Sequence, residues 1–253
     1  MLLTLMTTGF AMLVAEYFGK KAAMLFTDWI FVPIPGALVV LSILSVKRHG
    51  LKGSHGKAWI SFAVFSVMWF IAEQTWTVLE LFYNQKPFPS IADFFYFAGY
   101  PAYFIFAMLY IRPVKKAITK KIIIFSSLIA VAVFVPNLYM TIANNSDEDQ
   151  FAKALGAFYP LADAIVLVPS LIGAGLFFGG KVNFLWSLML VGMIIEVSAD
   201  TGFQYFSLDN SIYTGHPVDI LFLWTYIVLV FGVYDHTKIF KTEKKTLDDK
   251  ENL

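Results

Sequence analysis

The chain of 253 residues contains no cysteine, which excludes disulfides, thiolate metal ligands and a cysteine nucleophile. Charge is also scarce: Asp, Glu, Lys and Arg make up 15% of the residues, against about 25% in ordinary soluble domains. Histidine occurs four times, as His49, His55, His216 and His236. No HExxH, GxSxG, Walker loop or complete GxGxxG accompanies them, so the sequence predicts no catalytic set and no metal site and specifies no cofactor. His49, His55 and His236 fall among basic residues and read as solvated, and His216 as an interfacial residue. With a net charge of +1 there is no basic excess to suggest nucleic acid.

What fills the chain instead is apolar: 58% hydrophobic and 17% aromatic residues. A transmembrane helix needs roughly 20 mainly apolar residues to cross about 30 Å of hydrocarbon. Eight such windows are predicted, over 2–18, 23–46, 58–83, 90–111, 121–143, 157–179, 183–207 and 217–235. The first is short and carries Glu16, but it lacks the basic start of a signal peptide and reads as a helix. Basic residues set the orientation. The loops after the second, fourth and sixth windows, with the tail, hold 15 of the 19 Lys and Arg, so both termini are expected in the cytoplasm.

The even-numbered windows share a pattern: FTDWIFVPIP at Asp28, SIADFFYFAGYP at Asp93, PLADAIVLVPS at Asp163 and HPVDILFLWTY at Asp219. The aspartates are 65, 70 and 56 residues apart, which predicts four parallel helical hairpin repeats. Two readings of these aspartates stand side by side. They are helix starters, meeting the positive end of the helix dipole at the outer face, or they line an acidic, aromatic vestibule. Pro33, Pro35, Pro101 and Pro169 are expected to kink their helices, and freed carbonyls at membrane depth must face protein or a wet cavity.

The odd windows add carboxylates within the bilayer, which are costly there and usually face the bundle interior. Trp69, Glu73, Trp76, Thr77 and Glu80 share one helical face, and Glu196, Asp200 and Gln204 another. With no embedded Lys, Arg or His to neutralise Glu73, Glu196 or Asp200, partners are expected among Tyr, Trp, Thr and Asn of neighbouring helices. They serve either as a polar clamp between helices or as ligand contacts. A retinal pocket is excluded, because residues 217–235 contain no lysine for a Schiff base. Gly175 and Gly179, at four-residue spacing, permit a close helix contact and suggest packing or dimerisation.

The segments SIADFFYFAGYPAYFIFAMLYIRP and EVSADTGFQYFSLDNSIYTGHPVDILFLWTYIVLVFGVYDH resemble the multi-pass membrane regions that precede histidine kinase or diguanylate cyclase domains in microbial signalling proteins. The matching residues are Asp93, Tyr100 and Pro101, then Asp200, Gly215, Asp219 and Tyr226, with Trp224 two residues before Tyr226 rather than three. The resemblance implies a sensory input module. The chain departs from it by stopping soon after the last helix, in IFKTEKKTLDDKENL, so a signal is expected to pass to a separate partner.

The expectation is therefore an all-α integral membrane protein of eight transmembrane helices, with a bundle over 1–236 and a charged cytoplasmic tail over 237–253. Its expected function is receptor-like or sensory, with Glu73, Trp76, Asp93, Tyr100, Glu196, Asp200, Asp219 and Tyr226 as ligand-binding residues in an outward-facing cavity. The expected partners are the lipid bilayer and a signalling or complex partner reached through cytoplasmic loops or tail. The alternative is a small proton-coupled transporter or an accessory subunit.

Overall fold

The structure is a computed structural model that describes residues 1–143, 150–207 and 211–251. Nine α-helices and a short 3-10 turn make up the described residues, with no strand among them. They are α1 (Leu2–Tyr17), α2 (Lys20–Ile30), α3 (Pro33–His49), α4 (Gly53–Leu81), α5 (Ile91–Ile111), α6 (Lys120–Ala143), α7 (Gln150–Leu176), α8 (Asn183–Ser207) and α9 (Asp219–Glu251).

Seven segments are long and apolar enough to cross a membrane, α2 and α3 counting as one, and the first window folds as a shorter apolar helix of 16 residues. At 1.5 Å per residue that helix is about 24 Å long. Large apolar side chains point outward from the bundle, among them Phe10 on α1 and Ile124, Phe125 and Leu128 on α6. Water would penalise such a surface and hydrocarbon welcomes it. Length, composition and outward face together mark a multi-pass membrane bundle.

Six helices close a ring. α3 packs on α4, α4 on α5, α5 on α7, α7 on α8 and α8 on α9, and α9 returns to α3. Three helices lie outside it: α1 leans on α2 and α9, α2 leads into α3, and α6 leans on α7 and α8.

The prolines act unequally. At Pro33 and Pro35 the second window breaks into α2 and α3, and the Phe31 carbonyl at the break accepts a hydrogen bond from Gln74 Nε2 at 3.1 Å, as the membrane interior requires. Pro101 and Pro169 stay inside continuous helices. The last helix runs on through Glu251, so most of the charged tail continues α9.

Within the bundle, Gly175 and Gly179 make no close helix contact: Gly179 sits in a turn with φ of 74°, and nothing approaches a side chain built at Gly175 within 4 Å. Close packing falls on Gly99 and Gly173, where a Cβ would stand 2.3 Å from Trp69 and 2.0 Å from Trp186. There the approaching surface is a tryptophan ring rather than a second backbone.

Candidate functional site

The helix starts explain where two of the aspartates go. Ser90 adopts an extended conformation and caps α5: its hydroxyl accepts from the Ala92 amide at 3.0 Å, and its own amide donates to Asp93 Oδ2 at 2.7 Å. This is a capping box. At α9 the Gly215 amide donates to Asp219 Oδ2 at 2.6 Å. Gly215 has φ of 93°, and a Cβ there would meet the Ala23 backbone at 2.5 Å, so only glycine suits both the turn and the approach to α2. Asp28 and Asp163 are not helix starters. Asp28 lies near the C-terminal end of α2, and Asp163 in the interior of α7, which begins at Gln150 and passes through Pro160.

All four aspartates nevertheless reach one cavity of about 580 Å³ at the end of the bundle where α4 and α8 finish and α5 and α9 begin. Of the residues predicted from sequence, Glu73, Trp76, Asp93, Tyr100, Glu196, Asp200 and Asp219 line it. Tyr226 stands behind the wall, its hydroxyl donating to Glu73 Oε1 at 2.7 Å. The wall also takes in Asp28, Glu80, Asp163, Tyr96 and Tyr159. Tyr96 and Tyr159 went unnoticed in the sequence, although each lies four residues before a site residue, Tyr100 and Asp163, on the same helical face.

Tyrosine and threonine supply donors to the carboxyl groups. The Tyr100 hydroxyl lies 2.9 Å from Asp163 Oδ1 and 3.2 Å from Asp200 Oδ2, so one phenol oxygen sits between two carboxyl groups. Tyr159 donates to Asp93 Oδ1 at 2.5 Å, and Thr77 to Asp28 Oδ1 at 3.2 Å. Thr214 donates to Glu80 and accepts from Trp76 Nε1 at 3.2 Å. Gln204 bonds Thr141, which ties α8 to α6. At the mouth, outside the spans, Tyr213 donates to Glu16 Oε1 at 2.7 Å; desolvation first, and that carboxylate second, push its phenol up to about 12. Two buried carboxyl oxygens in the wall, Asp28 Oδ2 and Glu196 Oε2, have no hydrogen-bonding partner among the described residues.

The floor of the cavity is aromatic. Trp69 touches Tyr100 and Tyr226 edge-on at 5.6 and 5.9 Å and leads to Phe65 at 4.5 Å; the rings continue through Phe62, Phe106 and Trp59. At the far end the histidine expectation is corrected for His236, while His49 is partly buried and His55 is exposed as expected. His236 is 1% exposed, its Nε2 hydrogen-bonded to the Tyr110 hydroxyl at 2.9 Å, and it lies 4.9 Å from Trp59. His49 stacks on Trp59 at 5.7 Å, and His55 meets Tyr110 edge-on at 4.9 Å. Neighbouring lysines suggested solvent, but one helical turn separates the basic face from the core face.

Among the described residues no three His, Asp or Glu side chains are placed to hold a metal ion. What the arrangement offers is an acidic and aromatic chamber, open at one end of the bundle and closed by rings below. Compared with known proteins, the chain matches no family model, no curated protein and no solved structure.

Proposed function

We propose that the protein is a receptor-like, sensory membrane module whose chamber binds a ligand from the outer side of the membrane. The observation that carries this is the chamber itself. Its volume of about 580 Å³ falls in the range of small-molecule sites, and its polar groups converge from seven helices onto one space. The bias of basic residues puts its mouth outside and both termini in the cytoplasm. The likeness of Asp93, Tyr100, Asp200, Asp219 and Tyr226 to the pattern of membrane sensor regions supports the same reading. The signal would leave through the cytoplasmic loops or tail. The first window is taken as an eighth span, completing four hairpins.

Proton-coupled transport is the second reading, favoured by the Tyr100 oxygen between Asp163 and Asp200, a place where a proton can be held and passed. A carrier also needs access from the other side, and the continuous aromatic floor beneath Trp69 supports binding over passage.

The experiment is thermal unfolding of the purified full chain in mild detergent, with and without a membrane extract as ligand source. Binding to the folded state raises the midpoint. A rise that is lost in a folded Glu73→Gln variant supports the receptor reading; no rise in the unaltered protein counts against it.

A further inference from the structure

Of the chamber's eight carboxyl groups, Asp93 is held by Tyr159 and the Ser90 amide, and the others form two lobes and a bridge. One gathers Asp163, Asp200 and Glu196 around Tyr100, on α5, α7 and α8. The other gathers Asp28, Glu80 and Asp219, on α2, α4 and α9, held by Thr77, Thr214 and the Gly215 amide. Glu73 lies between them, within electrostatic reach of Asp28 and Asp219 on one side and Glu196 on the other.

Each lobe keeps one carboxyl oxygen without a donor among the described residues, Glu196 Oε2 in the first and Asp28 Oδ2 in the second. These residues are only 6% and 2% exposed, and both line the chamber. A buried carboxylate oxygen without a donor is costly. The lining holds two lysines, Lys86 and Lys153, against eight Asp and Glu side chains, so the chamber's own cations fall far short of its acids. An ammonium group brings three N–H donors and a positive charge, which is what each lobe is short of. Phe31, Trp76 and Phe222 also line the chamber, rings suited to a methylene chain and to a cation over an aromatic face.

The halves of the chain contribute in parallel. α1 and α6 lie outside the ring, and the three spans after each enter it. The last ring helix of each half sends a tyrosine across to the other: Tyr100 to Asp163 and Asp200, Tyr226 to Glu73.

We infer that the ligand is an organic dication with two ammonium ends joined by an apolar linker, of the diamine or polyamine class, one end seated at Glu196 and the other at Asp28. This rests on the binding role proposed above.

The test is the unfolding midpoint of the full chain titrated with putrescine, cadaverine and spermidine, and in parallel with butylamine and potassium chloride at matched ionic strength. At least one diamine or polyamine is expected to raise the midpoint saturably, at a concentration roughly tenfold or more below that needed for butylamine. Glu196→Gln and Asp28→Asn are each expected to reduce the diamine response to the butylamine level; if one variant fails to fold, the other and the comparison of amines on unaltered protein still decide. Equal responses to butylamine, or to potassium chloride, overturn the dication. No response to any amine, with a midpoint still raised by membrane extract, overturns the dication and leaves the receptor reading intact. No response to either overturns both.

Discussion

The hydroxyl of Tyr226, on α9, donates to Glu73, on α4, across 2.7 Å at the base of the chamber. Two helices far apart in sequence are thereby joined by a tyrosine and a carboxyl group inside the bundle.

Removing that donor should be felt. Tyr226→Phe is expected to cost about 1 kcal/mol, since a buried acceptor loses its partner while membrane hydrogen bonds are individually modest. In a double-mutant cycle with Glu73→Gln, the two effects are expected to be less than additive, because the residues touch. Reversible unfolding of the four proteins measures the coupling; strict additivity would show that the contact carries no energy.

The four aspartates should part company. Asp93→Asn is expected to lower stability by about 0.5 to 2 kcal/mol, because it weakens a helix cap. Asp28→Asn is expected to preserve or raise stability, since it removes a buried charge whose second oxygen is unpartnered. Midpoints measured without added ligand test this; a larger loss at Asp28 than at Asp93 would contradict it.

Glycine substitutions should divide by what their Cβ meets. Gly99→Ala and Gly173→Ala drive a methyl group into Trp69 and Trp186 and are expected to destabilise by about 1 to 3 kcal/mol. Gly175→Ala meets open space and is expected to stay within about 0.5 kcal/mol. The three midpoints are measured side by side. Equal effects would argue against the tryptophan contacts.

Topology can be read directly in a chain that lacks cysteine. Gln85→Cys is expected to react with an impermeant reagent added to intact cells, and Lys181→Cys only after lysis. Both positions are exposed. Reaction at Lys181 in intact cells would invert the orientation.

The helices were legible because apolar windows of spanning length leave little choice in hydrocarbon, and because Ser90 with Asp93, and Gly215 with Asp219, carry local cap signals. The break at Pro33 and Pro35 was visible as proline chemistry. Its repair by Gln74 was not, since that bond joins residues 43 apart. Residues such as Glu73, Glu196 and Asp200 stood out by being expensive in lipid. Asp28 and Asp163 were misread in part as helix starters because the true starts of α2 and α7 lie well upstream, at Lys20 and Gln150. Nothing in the sequence paired Tyr100 with Asp163 and Asp200; such pairing depends on which helices are neighbours in the ring.

The column of rings from Trp69 to Trp59 and His236 has a mechanical consequence. Close-packed rings in contact compress very little, so there is no soft layer between the chamber and the opposite face of the bilayer. A molecule that wedges Trp69 aside cannot be absorbed by local settling. The displacement must appear as a tilt or slide of whole helices, α4 first, and would emerge where Arg48 holds the Thr237 carbonyl, at the root of the charged extension of α9.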